Sequence, residues 1–121
     1  MPLSMIMLLV EAIVFAAAAL VHAGLLIEGY EHREARLVES VLATVLFLGF
    51  LSAWRHSRWA KTAGILAQGF ALFGILIGVL TIIAGLGPQS TFDVAYHLAI
   101  SAVLIWGLIV SIRTPAFPKP R

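Results

Sequence analysis

Four long apolar runs, broken by short polar links, organise this chain: residues 4–27, 37–54, 62–86 and 92–112. A helix rises about 1.5 Å per residue and the hydrocarbon core of a bilayer is about 30 Å thick, so about 20 mostly apolar residues span it. Each run therefore predicts a membrane-spanning helix. The link Glu28-Gly29-Tyr30-Glu31-His32-Arg33-Glu34-Ala35-Arg36 ends in strong helix formers, so the second helix is expected to begin near Glu31 and to enter the membrane near Leu37. Arg55 to Lys61 reads as a tight basic turn. Gly85, Gly87 and Pro88 end the third helix, and Asp93 or Thr91 is placed to cap the fourth, which stops before Thr114-Pro115.

Links this short force sequential helices antiparallel. The predicted fold is an all-α membrane protein, a single four-helix antiparallel bundle with a short basic tail at 113–121. On the third helix, Ala63, Ala67 and Ala71, and the GxxxG pair Gly74 and Gly78, let backbones approach closely. That approach serves packing inside the bundle or a homodimer contact.

Composition agrees with this pattern. Of 121 residues, 61% are hydrophobic and 12% are charged, against about 25% charged in a soluble domain. The absence of cysteine excludes disulfides and thiolate chemistry. The net charge of +2 is too small, and its basic residues too close to the spans, for nucleic-acid binding. The first 23 residues lack a basic leader and contain Glu11, so they read as a span rather than a cleaved signal.

Arg55, Arg58, Lys61, Arg113, Lys119 and Arg121 fall on one side of a four-span protein, and only Arg33 and Arg36 on the other. Positive residues stay inside, so both termini are expected in the cytoplasm, in a bacterial inner membrane. Trp54 and Trp59 mark the inner interface, and Tyr30, Phe92 and Tyr96 the outer one.

Ionisable residues within spans cost about 2.5–3.5 kcal/mol at a helix centre and usually face the bundle interior. His22 and His97 each lie about five residues from the outer end of their helices, hence at one depth. Asp93 and His97 are four apart and share a face, as do His32 and Glu39, seven apart. His22, His32, Glu39, Asp93 and His97 are thus candidate metal ligands in an outer pocket, with zinc, iron, copper or manganese as suitable ions. The same groups can instead form buried His–carboxylate hydrogen bonds that fix helix register. Haem held axially by His22 and His97 is a third reading. Glu11 and Gln68 lie deeper. They are candidates for proton coupling, or for a protonated Glu11 hydrogen-bonded to Gln68 or a carbonyl. His56 reads as a solvated residue of the basic turn. No Gly-rich phosphate loop and no Ser–His–Asp arrangement occurs.

The run Leu37-Val38-Glu39-Ser40-Val41-Leu42, with an acid at the outer start of helix two, and the Gly-rich third helix resemble the DoxX-like membrane proteins. The resemblance is architectural and spans the chain; the histidines lie outside that pattern. It implies an accessory role beside a quinone-linked or other membrane redox system. Three functions follow as expectations. The first is a membrane protein binding a metal or redox cofactor at the His/carboxylate cluster. The second is a proton-coupled small-molecule transporter using Glu11. The third is a non-catalytic subunit or assembly factor of a larger complex in the bilayer.

Overall fold

A computed structural model describes residues 1–115; the end of the tail, with Lys119 and Arg121, lies outside the described residues. The chain forms α1 (Leu3–His22), α2 (Arg33–Arg55), α3 (Ala60–Ile83) and α4 (Thr91–Arg113), with a single 3-10 turn at Ser57–Trp59 leading into α3. All four helices are long and apolar enough to cross a membrane. No strand occurs among the described residues.

Two helices end earlier than their apolar runs. α1 stops at His22 although Leu25, Leu26 and Ile27 continue the hydropathy. Gly24 takes φ +76°, and the Leu25 N–H turns back to the Leu20 carbonyl at 3.0 Å. α3 stops at Ile83 in the same way, with Gly85 at φ +79° and the Leu86 N–H on the Thr81 carbonyl at 2.8 Å. A left-handed glycine just past a helix closes it by satisfying the last carbonyls. Hydropathy is blind to that backbone chemistry. At the start of α4 the cap is Ser90, whose side chain accepts from the Asp93 N–H, rather than Asp93 or Thr91.

Consecutive helices pack side by side, and α1 also touches α3 and α4, closing a four-helix ring. Every helix turns a stripe of three- and four-residue spacing inward. On α4 the buried residues are Asp93, His97, Ile100, Leu104, Gly107 and Ser111. On α1 they include Ser4, Leu8, Glu11, Phe15, Ala19 and His22. Phe15, Leu42, Leu46, Ala71, Ile75 and Leu104 form the centre of the core. The outward faces carry exposed Leu66, Phe73, Leu80, Leu98 and Trp106. Apolar outside with polar groups buried inside is the distribution a lipid solvent favours, and it is compatible with an integral membrane protein.

Small residues set the helix spacing. A Cβ on Gly49 of α2 would sit 2.8 Å from the Ala67 Cβ of α3, and one on Gly74 would sit 3.0 Å from Leu42 Cδ2. A Cβ on Gly78 would sit 3.2 Å from Nε2 of the His97 ring. The GxxxG pair therefore serves contacts within the bundle, with α2 through Gly74 and with α4 through Gly78.

Candidate functional site

The Ser4 start of α1, the α2–α3 turn and Thr114-Pro115 after α4 line one cavity, so they share one end of the bundle. The two longer links occupy the opposite, distal end, and there the ionisable groups meet. His22 is the last residue of α1. Its carbonyl accepts the His32 N–H at 2.9 Å, which folds the α1–α2 link over the helix end.

The His22 ring bridges two other helices. Nδ1 bonds Glu39 Oε1 of α2, and Nε2 lies 2.7 Å from Asp93 Oδ1 of α4. All three side chains are buried, His22 at 2%, Glu39 at 4% and Asp93 at 3% exposure. Two hydrogen bonds between an imidazole and two carboxyl groups require two protons among the three groups, so the triad is a proton-holding unit. Asp93 Oδ2 accepts from the Ser90 hydroxyl, which lies in the connection from α3. A continuous chain of polar groups thus runs from Glu39 through His22 and Asp93 to Ser90 near the distal surface.

His97 is placed differently. Its Nδ1 lies 2.7 Å from the Asp93 carbonyl oxygen, one turn back on α4. A carbonyl only accepts, so Nδ1 carries the proton and a neutral ring leaves Nε2 as a lone-pair acceptor. Together with Glu39, Gly78, Thr81 and His32, His97 lines a cavity of about 340 Å³ between α2, α3 and α4. Its other walls include Val38, Ile75, Ile77 and Leu86, so the space is mainly apolar. Glu39 Oε2 and the buried Tyr96 hydroxyl each lack a hydrogen-bond partner.

His32 serves the backbone. As N-cap of α2, its Nδ1 accepts the Ala35 N–H at 3.1 Å, which puts the ring proton of the neutral form on Nε2. Its ring stands edge-on to His22, with centroids 6.5 Å apart, and Nδ1 is 3.8 Å from Glu34. The structure therefore gathers His22, Glu39 and Asp93 into one bonded triad. His97 and His32 reach the same cavity wall as Glu39 without joining that triad. Among the described residues no group of three or more His, Cys, Asp or Glu side chains stands ready to hold a metal ion. Both His22 nitrogens face carboxylates, and the His32 lone pair is used by a backbone N–H.

Glu11 and Gln68 form a second buried group, nearer mid-bundle, and neither is exposed to solvent. Gln68 Nε2 donates to Ser111 Oγ at 2.7 Å and to the Gly64 carbonyl at 3.2 Å. Gln68 Oε1 and Glu11 Oε1 both crowd the space where a Cβ on Gly107 would stand, and neither has a hydrogen-bond partner. Ser111 and Tyr96 were not among the expected site residues. Ser111 continues the Asp93–His97–Leu104–Gly107 stripe of α4, which was the signal that could have found it.

No family model, no curated protein and no solved structure matches this chain. The four-helix, all-α architecture agrees with a small four-helix membrane protein at the level of architecture.

Proposed function

We propose that this protein binds a small membrane-borne redox cofactor at its distal end and serves as an accessory to a membrane redox pathway. The observation that carries the reading is the His97 ring. It is fixed by the Asp93 carbonyl and leaves an acceptor nitrogen beside Gly78 in a mainly apolar cavity that Glu39 also lines. An apolar pocket with a few convergent polar groups is the usual form of a small-molecule site. His97 Nε2 and Glu39 Oε2 are both acceptors, so they favour an aromatic or lipid-like ligand with hydroxyl donors, as a quinol has. A quinol also carries protons, and the Glu39–His22–Asp93 triad is built to hold them. A transition metal is the weaker form of the same proposal, because His97 and Glu39 supply only two uncommitted donors where structural zinc takes four. With the basic end facing the cytoplasm, the cofactor site lies toward the outer leaflet of a plasma membrane.

The test is isothermal titration of the purified protein in detergent with a short-tailed benzoquinol. The reading expects saturable one-to-one binding, weakened roughly tenfold in His97→Ala, since losing one buried hydrogen bond costs about 1–3 kcal/mol. Equal binding by the wild type and His97→Ala rejects it.

Glu11 supports a second reading, proton-coupled transport. Its carboxyl is fully buried without a protein partner, against the unpaired Gln68 Oε1. A carboxyl so placed needs a proton or a cation. Proton-coupled uptake into liposomes that persists in Glu11→Gln removes Glu11 from that role.

A further inference from the structure

The end of the bundle opposite the cofactor cavity holds a second, larger space. It encloses about 520 Å³ between the start of α1, the α2–α3 turn and the exit of α4. Its polar walls include Arg58, Lys61, Ser57, Ser4 and Thr114, and Trp54 and Met5 supply apolar surface. No acidic side chain lines it among the described residues. The ion pairs among the described residues are all made by histidines, so Arg58 and Lys61 face this space uncommitted to a carboxylate. The Arg58 guanidinium is held over the Trp59 ring at 5.6 Å. α3, 24 residues long, begins here with no side-chain cap and no acid in its first turn. The 3-10 turn leads straight into it, with the Ala60 N–H on the Ser57 carbonyl, and no acid of the first turn opposes the positive end of its dipole. Ser4 gives an independent sign of a ligand. It lines the cavity, is 1% exposed, and its hydroxyl has no hydrogen-bond partner.

We infer that this cavity is a binding site for a phosphate ester, the headgroup of an anionic phospholipid being the source nearest to hand. Arg58 and Lys61 neutralise the phosphate, the serine hydroxyls donate to its oxygens, and Trp54 and Met5 cover the glycerol end. Two cations and hydroxyl donors beside the positive end of a helix dipole form a phosphate-binding set. Basic pockets between helices at a membrane interface select anionic headgroups. Residues 116–121, which follow the α4 exit, carry Lys119 and Arg121 and no acid. Charge therefore favours an anion over the chain's own tail as occupant.

Native mass spectrometry of the full chain, supplied with phosphatidylglycerol or phosphatidylcholine, tests the site. One phosphatidylglycerol is expected per protein, preferred at least about tenfold over phosphatidylcholine. The preference should vanish in Arg58→Gln/Lys61→Gln and weaken in Ser4→Ala. It should survive in Arg55→Gln, which removes a charge at the same end but outside the cavity. Displacement of the lipid by inorganic phosphate would support the phosphate site with a soluble source, and retention would support the headgroup. Equal binding of the two lipids, or equal losses in Arg55→Gln and the double variant, would overturn the proposal. Circular dichroism of the double variant, expected to match the wild type, separates lost binding from lost folding.

Discussion

The Nε2 of His22, the last residue of α1, lies 2.7 Å from Oδ1 of Asp93 in the first turn of α4, across 71 positions of chain. The other ring nitrogen holds Glu39 of α2. One imidazole thus ties three of the four helices at the distal end, where α1 otherwise meets α4 thinly.

Removing that imidazole leaves Glu39 and Asp93 buried with no bridge between them. His22→Ala should lower stability by about 3 kcal/mol or more, because an uncompensated buried charge costs more than the pair contributes. A double-mutant cycle of His22→Ala with Glu39→Ala should show coupling of about 1–3 kcal/mol. Unfolding in mixed micelles measures both, and strict additivity would show that the two residues do not act on one another.

Two glycines should respond in opposite ways to the same added methyl. On Gly107 it meets Gln68 Oε1 and Glu11 Oε1 in the core, and on Gly69 it meets nothing within 4 Å. Gly107→Ala should cost about 1–3 kcal/mol. Gly69→Ala should be neutral or stabilising by up to about 1 kcal/mol, through helix propensity alone. Thermal midpoints in detergent would show the order, and equal shifts would contradict the buried contact at Gly107.

His32 acts as a helix cap. His32→Ala should cost about 1 kcal/mol, and His32→Asn should restore most of it, since asparagine caps as well as any residue. A metal ligand would behave otherwise, because asparagine is a poor substitute for imidazole at a transition metal. The midpoints of the two variants decide between these roles.

The bundle should stand without metal. Both His22 nitrogens are satisfied by carboxylates, so washing with a chelator should leave the unfolding midpoint unchanged. A marked fall, reversed by zinc, iron, copper or manganese, would restore the metal reading to first place.

The four helices were legible because hydropathy in lipid is a strong signal: about 20 apolar residues have few other uses. Their ends were less so, since Leu25, Leu26 and Ile27 look like span residues and only Gly24 marks the stop. The meeting of His22, Glu39 and Asp93 was legible as shared depth but not as pairing. Depth follows from counting along a helix, whereas pairing depends on helix rotation. The inward rotation is written in the stripe Asp93, His97, Ile100, Leu104, Gly107 and Ser111, where polar and apolar residues share one face. On α4 that face is no more apolar than its surroundings, so hydrophobicity alone does not single it out. The roles of the histidines were least legible, because whether a ring caps a helix, bridges two acids or offers a lone pair is fixed by the hydrogen bonds around it.

The most direct test of the cofactor proposal is nitrogen-15 NMR of the imidazoles in the detergent-solubilised protein, with and without a short-tailed benzoquinol. His97 should show a proton on Nδ1 and a free lone pair on Nε2. Adding the quinol should shift Nε2 as it accepts a hydrogen bond, while both resonances of His56, in the turn between α2 and α3 at the opposite end, stay in place. A His97 Nε2 resonance that does not move while the quinol is in saturating excess would contradict it.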